Sequence, residues 1–164
     1  MSDNNKLKSE IKIKAALYSL YTAVFITLIK IIAAYFSGSL GILSEVFNSG
    51  IDIFVCLVSI ISIKYSSRPP DKDHNYGHEK AENFSALFQV FILFITSSYI
   101  IYEAISRLFI KTDTELNINL WIIGSIIFTI FIDIHRAKKL KAVAKETNSS
   151  ALEADALHFS SDIL

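Results

Sequence analysis

The sequence predicts an all-α, polytopic transmembrane helix bundle with four complete spans and the start of a fifth. Three observations predict it. Apolar residues make up 52% of the 164-residue chain, yet 16 basic side chains balance 16 acidic ones, so the charges are clustered rather than sparse. The apolar residues fall in runs near the length needed to cross a hydrocarbon core about 30 Å thick. Those runs also lack a polar face: from Ala16 to Phe36 the one charge is Lys30, whereas a helix of a soluble bundle carries a polar stripe along its length.

Residues 1–14 form a charged N-terminal tail with Lys6, Lys8, Lys12 and Lys14. No short apolar core with a small-residue cleavage site follows, so the first span is expected to act as its own uncleaved insertion signal. The transmembrane domain then occupies residues 15–164. Its first run extends from Ala15 to Phe36 and its second from Leu40 to Ile63. Arg68-Pro69-Pro70 stops the second helix, because proline lacks the N–H and clashes with a continuing turn. The third run spans Phe84 to Ile105 and the fourth Ile118 to Ile134. Ala151 to Leu164 is 14 residues, about 21 Å of helix and short of a full crossing.

The basic residues fix an orientation. Those before helix one, those flanking the loop after helix two (Lys64, Arg68, Lys72, Lys80) and those after helix four (Arg136, Lys138, Lys139, Lys141, Lys145) make up 13 of the 16. The opposite connections hold the uncharged Ser37 to Ser39 and the stretch around Arg107 and Lys111. The positive-inside bias therefore places the N-terminus in the cytoplasm. Cys56, within helix two, reads as packing, and Trp121 with Tyr99 and Tyr102 as interface anchoring. No phosphate-binding glycine loop, nucleophile elbow or nucleic-acid-binding basic face appears, which argues against an enzyme and against a nucleic-acid partner.

Chemistry enters with a repeat. Glu45-x-x-Asn48-x-x-x-Asp52 and Asp155-x-x-His158-x-x-x-Asp162 share one pattern, each inside or entering an apolar segment. Positions i and i+4 of a helix lie on one face, so each segment offers two oxygen or nitrogen ligands to the same point. Two such helices facing each other supply four. A carboxylate in hydrocarbon is costly unless paired, hydrated or metal-bound, and the pattern points to a divalent-metal site at mid-membrane depth. The competing use of Asn48 is an interhelical hydrogen bond.

The loop after helix two is the second dense feature. Asp71, His74 and His78 have the ligand types that suit zinc, iron or manganese. On loop chemistry alone, a hydrated charged segment that starts helix three is the favoured reading.

The run Tyr65-Ser66-Ser67-Arg68-Pro69-Pro70-Asp71, followed by His74-Asn75-Tyr76-Gly77-His78-Glu79-Lys80-Ala81-Glu82, resembles the signature of the cation diffusion facilitator transporters, in particular the bacterial iron/zinc/cadmium efflux branch. Gly38-Ser39-Leu40, Tyr102-Glu103-Ala104-Ile105, Ala154-Asp155-Ala156-Leu157-His158 and Ser161-Asp162 resemble it in the same order. The resemblance implies a multi-pass protein of the cell (inner) membrane that exports divalent metal in exchange for protons and works as a homodimer. The cargo would be zinc, ferrous iron, cadmium or manganese, with no organic cofactor. It also implies an intramembrane site at Asn48, Asp52, His158 and Asp162, and a cytoplasmic-side site at Asp71, His74 and His78. Glu45 and Asp155 would line the cavity at most.

Two departures qualify what the resemblance implies. Asn48 stands where the family usually has Asp or His; its amide oxygen is harder than imidazole and adds no charge, which leans the site toward manganese or ferrous iron. The chain also ends inside helix five, where a complete member finishes that helix, adds a sixth and carries a cytoplasmic domain. The alternative expectation is accordingly a truncated, non-transporting remnant or membrane assembly subunit of the same fold.

Overall fold

The computed structural model describes residues 3–37, 40–109 and 120–163. They form five helices: α1 (Asp3–Ser37), α2 (Leu40–Ser66), α3 (Lys80–Phe109), α4 (Leu120–Thr147) and α5 (Ser150–Ser161). Among the described residues there is no strand. Gly38, Ser39, Lys111 and the side chains of Arg107 and Trp121 lie outside the described residues.

The helices outrun the apolar segments that predict them. The charged residues of the expected tail form the first turns of α1, and α4 continues past Ile134 to Thr147. Among the described residues three helices are long and apolar enough to cross a membrane, over Lys6–Phe36, Leu43–Ser66 and Lys80–Glu103. Four complete spans are expected from sequence. The difference lies in α4, whose described apolar part from Leu120 to Ile134 is about 22 Å long and gives way to Arg136 and a series of lysines. The 12 residues of α5 make about 18 Å.

α1 lies against α2 and α4, α4 against α5, and α5 also against α2, so these four helices enclose a common interior; α3 packs outside, on α2 and α5. The interior is built largely from small side chains. Ala15, Ala16 and Ala23 of α1, Ala137 and Ala144 of α4 and Ala151 and Ala156 of α5 meet Cys56, Ile60, Ile63, Leu140, Leu152 and Phe159, and alanine lets helix backbones approach closely. Large apolar residues such as Tyr21, Phe47, Phe94 and Phe131 point outward instead, as a bundle surrounded by lipid requires.

The basic end of the bundle gathers the start of α1, the α2–α3 loop and the α4–α5 joint. Glu82, the third residue of α3, ties them together from a buried position. Its carboxylate accepts from Lys12 Nζ of α1 at 2.8 Å, from Ser66 Oγ of α2 at 2.8 Å and from Ser149 Oγ at the joint. Ser149 is also the N-cap of α5, accepting from the Leu152 N–H, as serine does at helix starts. Asn148 has φ 51°, a left-handed conformation that asparagine tolerates. The Ser149 N–H then bonds back to Ala144 O at 3.0 Å, the six-residue closure of a Schellman cap. One residue therefore ends α4 and its neighbour begins α5.

Candidate metal centre

Because Ser149 fixes where α5 begins, it also fixes where His158 and Asp162 fall. Both face α2 at the level of Asp52. His158 Nε2 lies 3.1 Å from Asp52 Oδ1 and 3.8 Å from Asp162 Oδ2. One ligand atom from each of the three residues lies within 4.8 Å of the others. The imidazole is buried, the Asp52 side chain is 15% exposed and that of Asp162 is 28% exposed, so the cluster opens outward past Asp162. Asn48 sits half-buried one turn before Asp52 on the same helix. The interhelical hydrogen bond that would be its alternative use is not made to any described residue.

The outer members of the repeat take other partners. Glu45 is mostly exposed and pairs with Lys30 of α1 at 3.0 Å. Asp155 is fully buried and accepts from Ser59 Oγ at 2.7 Å. Ser59 Oγ in turn receives Gln89 Nε2 at 2.8 Å, and the same amide donates to Ser85 Oγ at 3.1 Å. Asp155 thus links α5 to α2 and α3, and does not join the three-residue cluster. Asp155 Oδ2, Gln89 Oε1 and His158 Nδ1 are buried without a hydrogen-bond partner among the described residues.

The loop residues also converge. His74 Nδ1 and His78 Nε2 lie 3.1 and 3.3 Å from the two oxygens of Asp71, and one ligand atom from each residue lies within 4.8 Å of the others. The turn is self-built. Asp71 Oδ1 accepts the backbone N–H of Asp73 and of His74, at 3.1 and 2.7 Å, and Gly77 donates to His74 O at 2.9 Å. Gly77 has φ 82°, a conformation glycine adopts without the Cβ penalty. The His74 N–H is the main reason the Asp71 carboxyl is held below the ordinary aspartate value. His78 is buried against the edge of Tyr65, ring centroids 4.7 Å apart; His74 stays open to solvent.

Sequence reasoning missed Arg136 as an interior residue. It counts there among the boundary cations, since Lys138, Lys139 and Lys141 follow it. In the structure it is 1% exposed. Its Nε donates to Ser19 Oγ of α1 at 2.8 Å and its Nη2 to Cys56 Sγ of α2 at 3.0 Å. The guanidinium lies over the Phe159 ring of α5, 3.3 Å from the centroid. The available signal was Asp133, three residues earlier on α4 and 3.6 Å from Nη1. Cys56 is buried as expected, although the thiol is also a hydrogen-bond partner.

Residues 16–164 match the cation efflux transmembrane domain. Over 154 residues, 92% of the chain, the sequence is 33% identical to the cation-efflux pump FieF of Salmonella typhi and covers 49% of that protein. It is 31% identical over the same share to the cation-efflux pump FieF of Salmonella arizonae, covering 50% of it. The chain therefore spans about half the length of these relatives. With a family match over residues 16–164, the chain belongs to the cation efflux, or cation diffusion facilitator, family.

Proposed function

We propose that this chain is the ion-binding transmembrane part of an exporter that exchanges divalent metal for protons. Asp52, His158 and Asp162, joined by the Asn48 amide oxygen, are its transport site. The observation that carries this reading is the convergence of the three titratable groups, from two different helices, on one point inside an apolar bundle. Two carboxylates offset the charge of a divalent ion. The His158 Nε2 lone pair takes either a proton or the metal, so binding of one expels the other. With a proton on Nε2, His158 donates to Asp52 across 3.1 Å, and in this reading an arriving ion takes that proton's place.

Zinc, ferrous iron, cadmium and manganese all suit a set of two carboxylates and one imidazole, and the harder amide oxygen favours manganese and ferrous iron. In this reading the basic end faces the cytoplasm, the protein sits in the inner membrane, and Asp71, His74 and His78 form a second ion position on the cytoplasmic side. Dimerisation belongs to the same reading. The chemistry is transport, without a reaction on an organic substrate. Metal flux into proteoliposomes under an imposed pH gradient tests it, with Asp52→Ala as background. Flux above that background is expected; flux equal to it would leave the non-transporting remnant or assembly subunit.

A further inference from the structure

Lys30 is the one charge between Ala16 and Phe36 of α1, and a charged side chain within an apolar span is costly unless it is paired or hydrated. Its side chain is 17% exposed and reaches Glu45 of α2 at 3.0 Å, while that of Glu45 is 61% exposed. The pair stands close to the candidate transport site. Glu45 precedes Asp52 by seven residues on α2, two helical turns and about 10 Å along one face. Lys30 is also within electrostatic reach of Asp162, the C-cap of α5, and of Asp133 on α4. Three other helices thus each bring a carboxylate near one ammonium. Asp162 is the most exposed of the three clustered ligands, so Lys30 lies near the open side of the cluster. Its flexible four-carbon stem lets a lysine change partner.

From this juxtaposition we propose that Lys30 is a tethered cation that opposes the divalent ion at the intramembrane site, and that Glu45 holds it back from the ligands. The inference rests on the proposed function and adds an affinity-setting pair to it. Paired with Glu45, the ammonium stands off from Asp162 and leaves that carboxylate to the metal; released from Glu45, it takes the ion's place beside Asp162. Its charge weakens binding in either position, more so in the second. Glu45 is a positioning residue, because it acts on the ion through Lys30.

The test is a double-mutant cycle read by isothermal titration of Zn²⁺ and Mn²⁺ into the detergent-solubilised chain, with Asp71, His74 and His78 replaced by alanine so that one site reports, and with His158→Ala as background. Lys30→Gln is expected to bind about tenfold more tightly, from removal of a nearby like charge. Lys30→Arg, which keeps the charge, is expected to stay near the parent, whereas a role in packing alone would weaken binding in both. Glu45→Gln is expected to bind about tenfold more weakly, because it frees the ammonium to approach Asp162. In the Lys30→Gln background the same Glu45→Gln change is expected to alter affinity less than about twofold, the non-additivity of a residue that acts through its neighbour. Should Lys30→Gln fail to fold, the double variant, which removes both charges, is compared with Glu45→Gln and is expected to bind more tightly. Unchanged or weaker affinity on loss of Lys30 overturns the inference, and so does a Glu45→Gln effect of equal size with and without Lys30. A parent that binds no metal above the His158→Ala background removes the proposed function as well, which separates the two failures.

Discussion

Ser59 of α2 donates a 2.7 Å hydrogen bond to Asp155 of α5, across the same helix pair that presents Asp52 and His158 to each other. The ligand cluster is thus held from the side by a polar contact that is not itself part of it. Asp155 has a second oxygen with no partner, so Ser59 supplies its one hydrogen bond to a described residue. Removing that donor by Ser59→Ala is expected to destabilise the bundle by about 1–3 kcal/mol, the cost of a buried acceptor left unmet. Denaturant titration in detergent, followed by circular dichroism, measures it; an unchanged midpoint would show that the contact contributes nothing.

Glu82 should matter more. Its carboxylate receives donors from α1, α2 and the α4–α5 joint, and Glu82→Ala would leave the mostly buried Lys12 ammonium without its partner. Breaking a buried ion pair from one side costs about 3–5 kcal/mol. The same denaturation experiment is expected to show a loss of that order for Glu82→Ala and less for Glu82→Gln, which keeps an oxygen acceptor. Equal losses would mean that charge is not what the joint uses.

Asn48→Asp adds a third carboxylate to the outward-opening cluster. Zinc affinity is expected to rise by about tenfold, read by isothermal titration against the parent. A variant that folds and binds no better would remove Asn48 from the ligand set.

The loop carries a pH prediction. The Asp71 carboxyl is held below the ordinary aspartate value, chiefly by the N–H of His74. A depressed carboxylate stabilises the fold at every pH above its unfolded value and loses that contribution as pH falls through the lower, folded value. The turn around His74 is therefore expected to survive mild acid. A carboxyl-carbon NMR titration should give Asp71 a midpoint below that of a free aspartyl peptide; a midpoint at or above it contradicts the hydrogen-bonded turn.

Cys56 offers an inexpensive check on the interior. Its thiol is fully buried and it is the one cysteine in the chain, so N-ethylmaleimide is expected to leave the folded protein unmodified and to label it after denaturation. Rapid labelling without denaturant would show that α1, α2 and α4 do not close over it.

What the sequence disclosed and what it hid follow from range. The i, i+4 spacing of His158 and Asp162 is a local property of one helix, so it was legible without knowing the neighbours. The pairing of that face with Asp52 rests on the repeat across two helices, and the structure sets His158 Nε2 3.1 Å from Asp52 Oδ1. Loop chemistry alone favours a hydrated segment over a ligand cluster at Asp71, His74 and His78, because solvated charges and a ligand cluster share a composition; the turn around Gly77 brings the three together. Arg136 was misplaced for a similar reason: a guanidinium followed by lysines reads as a boundary until Ser19 and Phe159, distant in sequence, are seen around it. Glu82 gave no hint of its three donors, since each comes from a different part of the chain.

The abrupt corner at Asn148 and Ser149 has one more consequence. Since a helix advances about 100° per residue, inserting or deleting a single residue there would turn the whole of α5 on its axis. Such a change would carry the imidazole away from its α2 carboxylate while leaving every ligand in the sequence. The α4–α5 corner therefore works like the indexing tooth of a lock, setting the rotational phase in which the key residues meet.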